Sequence, residues 1–176
     1  MVFKNRNKWH GLRIYVLSFI GIGLFYLPNL CWAANNCPWI NEATASGLLG
    51  GNAVGQVTGT GDDRTTVCEF TEQGAGFKHT LRIAVEVGAD AQLRLEILAR
   101  NCGIDAVPLK AIGNEALICS TTDPKLGHGE RVVGRVRNQL FTVLIYTTLN
   151  NDPILTREAL KIRTNMAAEQ ISGNLF

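Results

Sequence analysis

The chain has 176 residues, of which 46% are hydrophobic and 18% charged, and this length suits one ordinary domain. Four of its 17 basic residues, Lys4, Arg6, Lys8 and Arg13, precede the first acidic residue, Glu42. Without residues 1–33, the remaining 13 basic residues face 15 acidic ones, a formal charge near −2. The positive charge of the whole chain therefore belongs to its first segment, and nucleic-acid binding loses its main electrostatic support.

Residues 1–33 have the pattern of a secretory signal peptide. The basic residues precede an apolar run, residues 14–27, whose 14 residues fall short of the roughly 20 needed to span a bilayer. Cys31 and Ala33 then place small residues at positions −3 and −1 of a cut before Ala34. We expect cleavage there and a periplasmic or extracellular domain of residues 34–176. An uncleaved anchor is the alternative, and it would be the only membrane contact. Either way the domain lies outside, because the basic flank stays in the cytoplasm.

The exported domain holds four cysteines: Cys37, Cys68, Cys102 and Cys119. An even number in an exported chain favours two disulfides. Their spacing lacks the close pairs of a zinc site, so we expect no metal and no cofactor. We predict the pairs Cys37–Cys68 and Cys102–Cys119, because each would tie a helix end to the next strand. Nested or crossed pairing would join elements that are distant in sequence.

The first half of the domain predicts a helix, a loop and a hairpin. Residues 39–49 favour a short helix that ends at Gly50-Gly51. The glycine-rich segment 50–63 lacks both the phosphate-loop and the dinucleotide-binding motifs, and predicts a flexible loop. Residues 65–87 predict a β-hairpin, since apolar and polar side chains alternate in its second strand.

The second half predicts another helix, three strands and a last helix. Asp90 is expected to cap a helix that runs to Arg100, and residues 117–120 form a short strand. Residues 131–137 and 140–148 predict a hairpin whose second, nearly all-apolar strand lies at the centre of the sheet. Asp152-Pro153 is expected to begin the last helix and Gly173 to end it. Its predicted apolar stripe is Leu155, Ala159, Ile162 and Met166.

This order of elements predicts an α+β fold, an antiparallel sheet of about five strands packed with about three helices. The early cysteine, the Cys68-Glu69-Phe70 strand, the helix ending near Cys102 and the segment Ile112-Gly113-Asn114-Glu115-Ala116 occur in the same order elsewhere. Over about residues 37–172 the chain resembles small exported bacterial domains of unknown function with a PsbP-like sandwich. These include cell-envelope lipoproteins and extracellular sensor domains of serine/threonine kinases. The resemblance implies a binding or sensory domain and carries over no ligand residue.

Four charged residues are weak candidates for ligand binding. Arg131, Arg135 and Arg137 share one face of a predicted strand and could bind an anionic surface. The sequence favours an ordinary solvated face instead, because the domain is acidic overall. Glu115 could be a ligand-binding acid, although a local pairing beside a positive-φ Gly113 is the favoured interpretation.

The chain contains serine, histidine and acidic residues of the types used in catalysis, but no motif in the sequence brings them together. The chain has no Gly-x-Ser-x-Gly, and His79 and His128 are expected to be exposed. Asp62-Asp63 lacks the alternating acids of a calcium loop. We therefore expect a non-catalytic binding or sensory module whose partner is an envelope protein, a lipid or a small molecule. A structural or assembly factor of the envelope is the alternative, and a small hydrolase is the least favoured.

Overall fold

The computed structural model describes residues 36–59 and 64–176. The proposed leader and its cut before Ala34 lie outside the described residues, as do residues 60–63 of the glycine-rich segment. In chain order the elements are α1 (Glu42–Leu49), β1 (Val54–Gly59), β2 (Thr65–Gly74), β3 (Phe77–Val87), α2 (Ala91–Arg100), a 3₁₀ turn (Gly103–Asp105), β4 (Val107–Leu109), β5 (Glu115–Asp123), β6 (Gly127–Val136), β7 (Gln139–Thr147) and α3 (Arg157–Asn174).

The strands form one antiparallel sheet in the order β1-β2-β3-β7-β6-β5-β4. The α+β class, both hairpins and the central position of β7 are as predicted. The prediction of about five strands is wrong, because the sheet described here has seven. The two missed strands, β1 and β4, are its edges, where glycine and proline are tolerated. The expected flexible loop at 50–63 is accordingly a strand from Val54 to Gly59.

Helices cover both faces of the sheet. The larger apolar cluster joins α1 and α3 to one face, where Val132, Phe141 and Ile83 are fully buried. The smaller cluster lies under α2 and contains Leu95 and Val133. Val132 and Val133 are successive residues of β6 and therefore point to opposite faces. The sheet is thus the middle layer of the domain, with α1 and α3 on one side and α2 on the other.

The first two helices end where the sequence suggests. Asn41 caps α1 by accepting a hydrogen bond from the Thr44 amide at 2.9 Å, and Gly50 ends it with a φ of 94°. The helix therefore begins three residues later than position 39. Asp90 occupies the N-cap position of α2, although its side chain makes no capping hydrogen bond there.

The predictions for α3 are wrong in both its start and its buried stripe. Thr156, not Asp152, caps the helix, and Gly173 lies inside it. Ile162 and Met166 are more than half exposed, whereas the buried positions are Leu160, Thr164, Ala167, Ala168, Ile171 and Ser172. This buried set follows the helical period with small residues, because α3 packs closely on β6 and β7. Ile162 and Met166 are therefore a misleading guide to its orientation, whereas the large apolar Leu160 and Ile171 are buried.

Both predicted disulfides are present. Cys37–Cys68 and Cys102–Cys119 have Cα–Cα distances of 5.6 and 5.7 Å, within the range that a disulfide requires. The first joins the segment before α1 to β2, and the second joins the end of α2 to β5. In the described part of the chain, no helix is both long enough and apolar enough to cross a membrane.

Candidate functional site

A row of polar side chains crosses five strands at one end of the sheet. Antiparallel pairing places Glu72 opposite His79, His79 opposite Thr147, Thr147 opposite His128, and His128 opposite Thr122. Directly opposed residues share a face, so this row lies on the side covered by α1 and α3. The register thus gathers polar groups from both halves of the domain.

Three residues of this row, Glu72, His79 and Thr147, form a buried hydrogen-bonded cluster with Asp152 from the segment before α3, here called the His79 cluster. His79 is 1% exposed. Its Nδ1 lies 3.0 Å from the Leu49 carbonyl oxygen and 2.9 Å from Glu72 Oε2, and its Nε2 lies 2.6 Å from Asp152 Oδ2. Both ring nitrogens thus face acceptors, and His79 holds the end of α1, strand β2 and the segment before α3 together.

Asp152 is the best-satisfied carboxylate of the cluster. Its Oδ1 accepts hydrogen bonds from the Ile154 and Leu155 amides at 2.8 Å each, and its Oδ2 accepts from Thr147 Oγ1 at 2.5 Å as well as from His79. Burial raises the pKa of Asp152, but the hydrogen bonds, that from Leu155 first, outweigh burial and lower the pKa to about 2. Asp152 is therefore ionised at neutral pH, and Nε2 of His79 donates to it.

The lowered pKa of Asp152 predicts a loss of stability in acid. Its pKa is about 2 in the fold against an ordinary 3.8, so its contribution is complete above pH 4 and is lost as pH falls through 2. This shift corresponds to about 2 kcal/mol of unfolding free energy. In urea titrations, the free energy of unfolding of Asp152→Asn should fall by about 2 kcal/mol less than that of the wild type between pH 4 and 2. Parallel wild-type and variant profiles would contradict the assignment.

Next to the His79 cluster lies an open cavity of about 900 Å³. The ends of β5 and β6, the segment before α3 and the first turn of α3 form its walls. Most of the lining is polar, and it includes Ser120, Thr122, His128, Glu130, Asp152 and Arg157. Asp152 is thus shared between the cluster and the cavity. Converging polar groups in a concavity of this volume are typical of a small-molecule site.

Glu130 is the most unusual group of this lining. The residue is 6% exposed and yet carries a carboxylate. Its Oε1 accepts a hydrogen bond from the Ser120 hydroxyl at 2.7 Å. Within residues 36–59 and 64–176, none of the ion pairs involves Glu130. A buried carboxylate normally requires a cation, so this side chain is suited to one supplied by a ligand.

The candidates from the sequence lie outside this cavity. Glu115 pairs with Arg135 Nη2 at 3.2 Å, close to Gly113 with its φ of 61°, which agrees with the favoured local interpretation. Arg131 and Arg135 share a face of β6, but Arg137 lies in the following turn with a φ of 55°. The prediction that all three arginines belong to one strand face is therefore wrong.

The expectation that His79 is exposed is also wrong. The segment after α1 covers it, and the Glu72 carboxylate occupies the space that a side chain at Gly51 would need. The predicted hairpin turn around Gly74 and Gly76 was a signal for this contact. Glu72 and His79 lie on either side of that turn and are therefore opposite each other in the hairpin. No comparable local signal joins Asp152 to His79, or Glu130 to the cavity.

In comparisons with known proteins, no protein-family model, curated protein or solved structure matches the chain. Among the described residues, no group of three or more His, Cys, Asp or Glu side chains has an arrangement that could hold a metal ion. Both nitrogens of the buried His79 are already occupied by acceptors.

Proposed function

We propose that residues 34–176 are an exported binding or sensory module that takes a small polar ligand with a cationic amine in the cavity beside α3. The observation that carries this proposal is Glu130, a buried carboxylate that faces the cavity and is hydrogen-bonded to the Ser120 hydroxyl. An ammonium group at this position would supply both the missing positive charge and additional hydrogen bonds.

The rest of the lining supports a hydroxylated ligand. Ser120, Thr122 and Thr156 present hydroxyl groups, and Asn150 and Asn151 present amides, each able to donate and to accept. Such groups pair well with the hydroxyls of a sugar or an amino alcohol. We infer that the ligand combines one amine, for Glu130, with several hydroxyls for the wider part of the cavity.

The exported location belongs to the same proposal. Two disulfides in a domain of this size are typical of proteins that fold in an oxidising compartment. The basic, apolar and small-residue order of residues 1–33 supports export by a cleaved leader. The resemblance to PsbP-like envelope domains supports a sensory or binding role in the periplasm or outside the cell.

Glucosamine and N-acetylglucosamine provide a matched pair of probes for this proposal. We expect glucosamine to shift amide resonances of Ser120, Thr122 and Glu130 in NMR titrations, and the acetylated sugar to bind far more weakly because acetylation removes the charge. Glu130→Gln keeps the size and the Ser120 hydrogen bond, and should weaken glucosamine binding about tenfold or more. Equal binding of the two sugars, or of wild type and variant, would contradict the proposal.

A structural or assembly factor of the envelope is the second candidate. Leu93 and Ile97 lie one turn apart on α2 and are 57% and 49% exposed, and Ile104 in the following turn is fully exposed. Exposed apolar groups that lie close together favour a protein partner. Partner capture from envelope extract that is lost in Leu93→Ser but unchanged in Glu130→Gln would support this function instead.

A further inference from the structure

Arg131 places a positive charge against the second disulfide. Cys119 lies on β5 directly opposite Arg131 on β6, on the face that α2 covers. The Arg131 Nη2 atom is 3.5 Å from Cys102 Sγ and 3.7 Å from Cys119 Sγ. The guanidinium therefore contacts both sulfurs of the bridge, independently of the cavity on the other face of the sheet.

In the described part of the chain, none of the ion pairs includes Arg131. The ion pairs found there involve His79, Arg94 and Arg135 as the positive partners. Arg135, two residues along the same strand, pairs with Glu115, whereas the buried Nε of Arg131 has no hydrogen-bond partner. The sulfurs are thus the contacts that the structure provides for this guanidinium.

A cation at this position favours reduction of the disulfide. When a thiolate attacks a disulfide, the sulfur that leaves carries a negative charge, and a leaving thiol with a lower pKa departs faster. A neighbouring arginine lowers the pKa of a cysteine thiol by stabilising its thiolate. Arg131 therefore stabilises the leaving sulfur, a role that an ordinary structural disulfide does not need.

We propose that Cys102–Cys119 is a thiol-exchange site that forms a mixed disulfide with low-molecular-weight thiols. The incoming thiolate attacks Cys102 Sγ, a new sulfur–sulfur bond forms, and the Cys102–Cys119 bond breaks. Its electron pair leaves with Cys119 Sγ as a thiolate beside Arg131. A second equivalent of the thiol attacks the outer sulfur of this mixed disulfide, releases Cys102 as a thiolate and leaves as the symmetric disulfide of the low-molecular-weight thiol, which is thereby oxidised. Cys102 is the attacked sulfur because it precedes the exposed 3₁₀ turn that contains Ile104 and is 8% exposed, whereas Cys119 is only 2% exposed within the sheet.

The first disulfide supplies an internal reference. Cys37 is more exposed than Cys102, which is 8% exposed, so solvent access alone predicts that Cys37–Cys68 is reduced first. Cys68 is fully buried in the larger apolar cluster, an environment that raises thiol pKa values. Electrostatic stabilisation by Arg131 predicts the opposite order, with Cys102–Cys119 reduced first.

The wild-type domain can be tested with two thiols of similar size and opposite charge, mercaptoethanesulfonate and cysteamine. Alkylation, proteolysis and mass spectrometry follow the reduction of each bridge under native conditions. For each thiol, the rate of reduction of Cys102–Cys119 is divided by the rate of reduction of Cys37–Cys68. Comparing these ratios removes the difference in intrinsic reactivity between the two thiols. We expect this ratio to be about fivefold higher for mercaptoethanesulfonate, which is anionic, than for cysteamine, which is cationic. Equal ratios, or earlier reduction of Cys37–Cys68 by both thiols, would overturn the proposal.

Substitution of Arg131 separates charge from packing. Arg131→Met should slow reduction of Cys102–Cys119 about tenfold without changing the rate at Cys37–Cys68. Arg131→Lys keeps the charge and should retain most of the rate. A variant that merely loosens the fold would accelerate both bridges together, and the thiol-charge experiment on the wild type would then decide. Unchanged reduction of Cys102–Cys119 in a folded Arg131→Met domain would contradict the role of the guanidinium.

Discussion

Replacing His79 by leucine is expected to lower the free energy of unfolding by about 3–5 kcal/mol, because it leaves the carboxylates of Glu72 and Asp152 in the interior without their common partner. The fully buried Leu81 and Ile145 nearby show that the interior accepts an apolar side chain of that size. We attribute the expected loss to the stranded carboxylates, and urea unfolding at neutral pH measures it.

A second substitution distinguishes stranded charge from poor packing. Asp152→Asn in the His79→Leu background removes one buried carboxylate that has lost its imidazole partner, and we expect it to recover part of the lost stability. A defect of packing alone would give no recovery. His128→Gln is the matched control, since His128 lies in the same row but is only partly buried, and its effect should stay below about 1 kcal/mol. A His79→Leu domain as stable as the wild type would contradict the structural role of the cluster.

The sequence was most informative where neighbouring residues determine the structure. Alternation in residues 81–87 and the turn around Gly74 and Gly76 define the first hairpin, and the apolar run of residues 140–146 identifies the central strand. The disulfide pairing followed from the same local order, because each bridge joins a helix end to a nearby strand across 31 or 17 residues, although β1 or β4 lies between them. Local periodicity and short loops were sufficient for these predictions.

The edge strands and the orientation of α3 depend on tertiary contacts that the hydrophobic pattern of the sequence does not show. Val54 is 71% exposed and yet lies in β1, since its pairing with Thr71 needs backbone atoms only. In α3 the close packing on the sheet selects Ala167 and Ala168 for burial and leaves the larger Ile162 and Met166 outside. Hydrophobicity alone therefore predicted the wrong face.

The candidate site was missed because its parts come from distant segments. His79 and Asp152 are 73 residues apart in the sequence, and their contact exists only because β3 and β7 are neighbours. Glu130 lies near the start of β6, and a charged residue near the end of a strand is ordinarily expected to be exposed to solvent. Its burial depends on the packing of α3 across that end of the sheet.

The first disulfide is expected to contribute more to stability than the second. It closes a loop of 31 residues against 17, and the chain-entropy model gives about 3.7 and about 3.1 kcal/mol for these lengths. The variant Cys37→Ala/Cys68→Ala should accordingly lose about 3–4 kcal/mol of unfolding free energy. Cys102→Ala/Cys119→Ala should lose slightly less, as measured by urea unfolding.

The position of α1 makes the first bridge the more informative of the two. This helix is held to the sheet before its start by Cys37–Cys68, and at its end by the contacts of the Leu49 and Leu48 carbonyls with His79 and Arg163. Without the bridge, amide exchange in α1 should become faster than in β7, because its covalent attachment to the sheet is gone. Reduction of Cys37–Cys68 in the Cys102→Ala/Cys119→Ala domain, with both cysteines of the first bridge kept, controls for the space left by the sulfurs. Equal stability with and without the bridge would show that the contacts at Leu48 and Leu49 hold α1 by themselves.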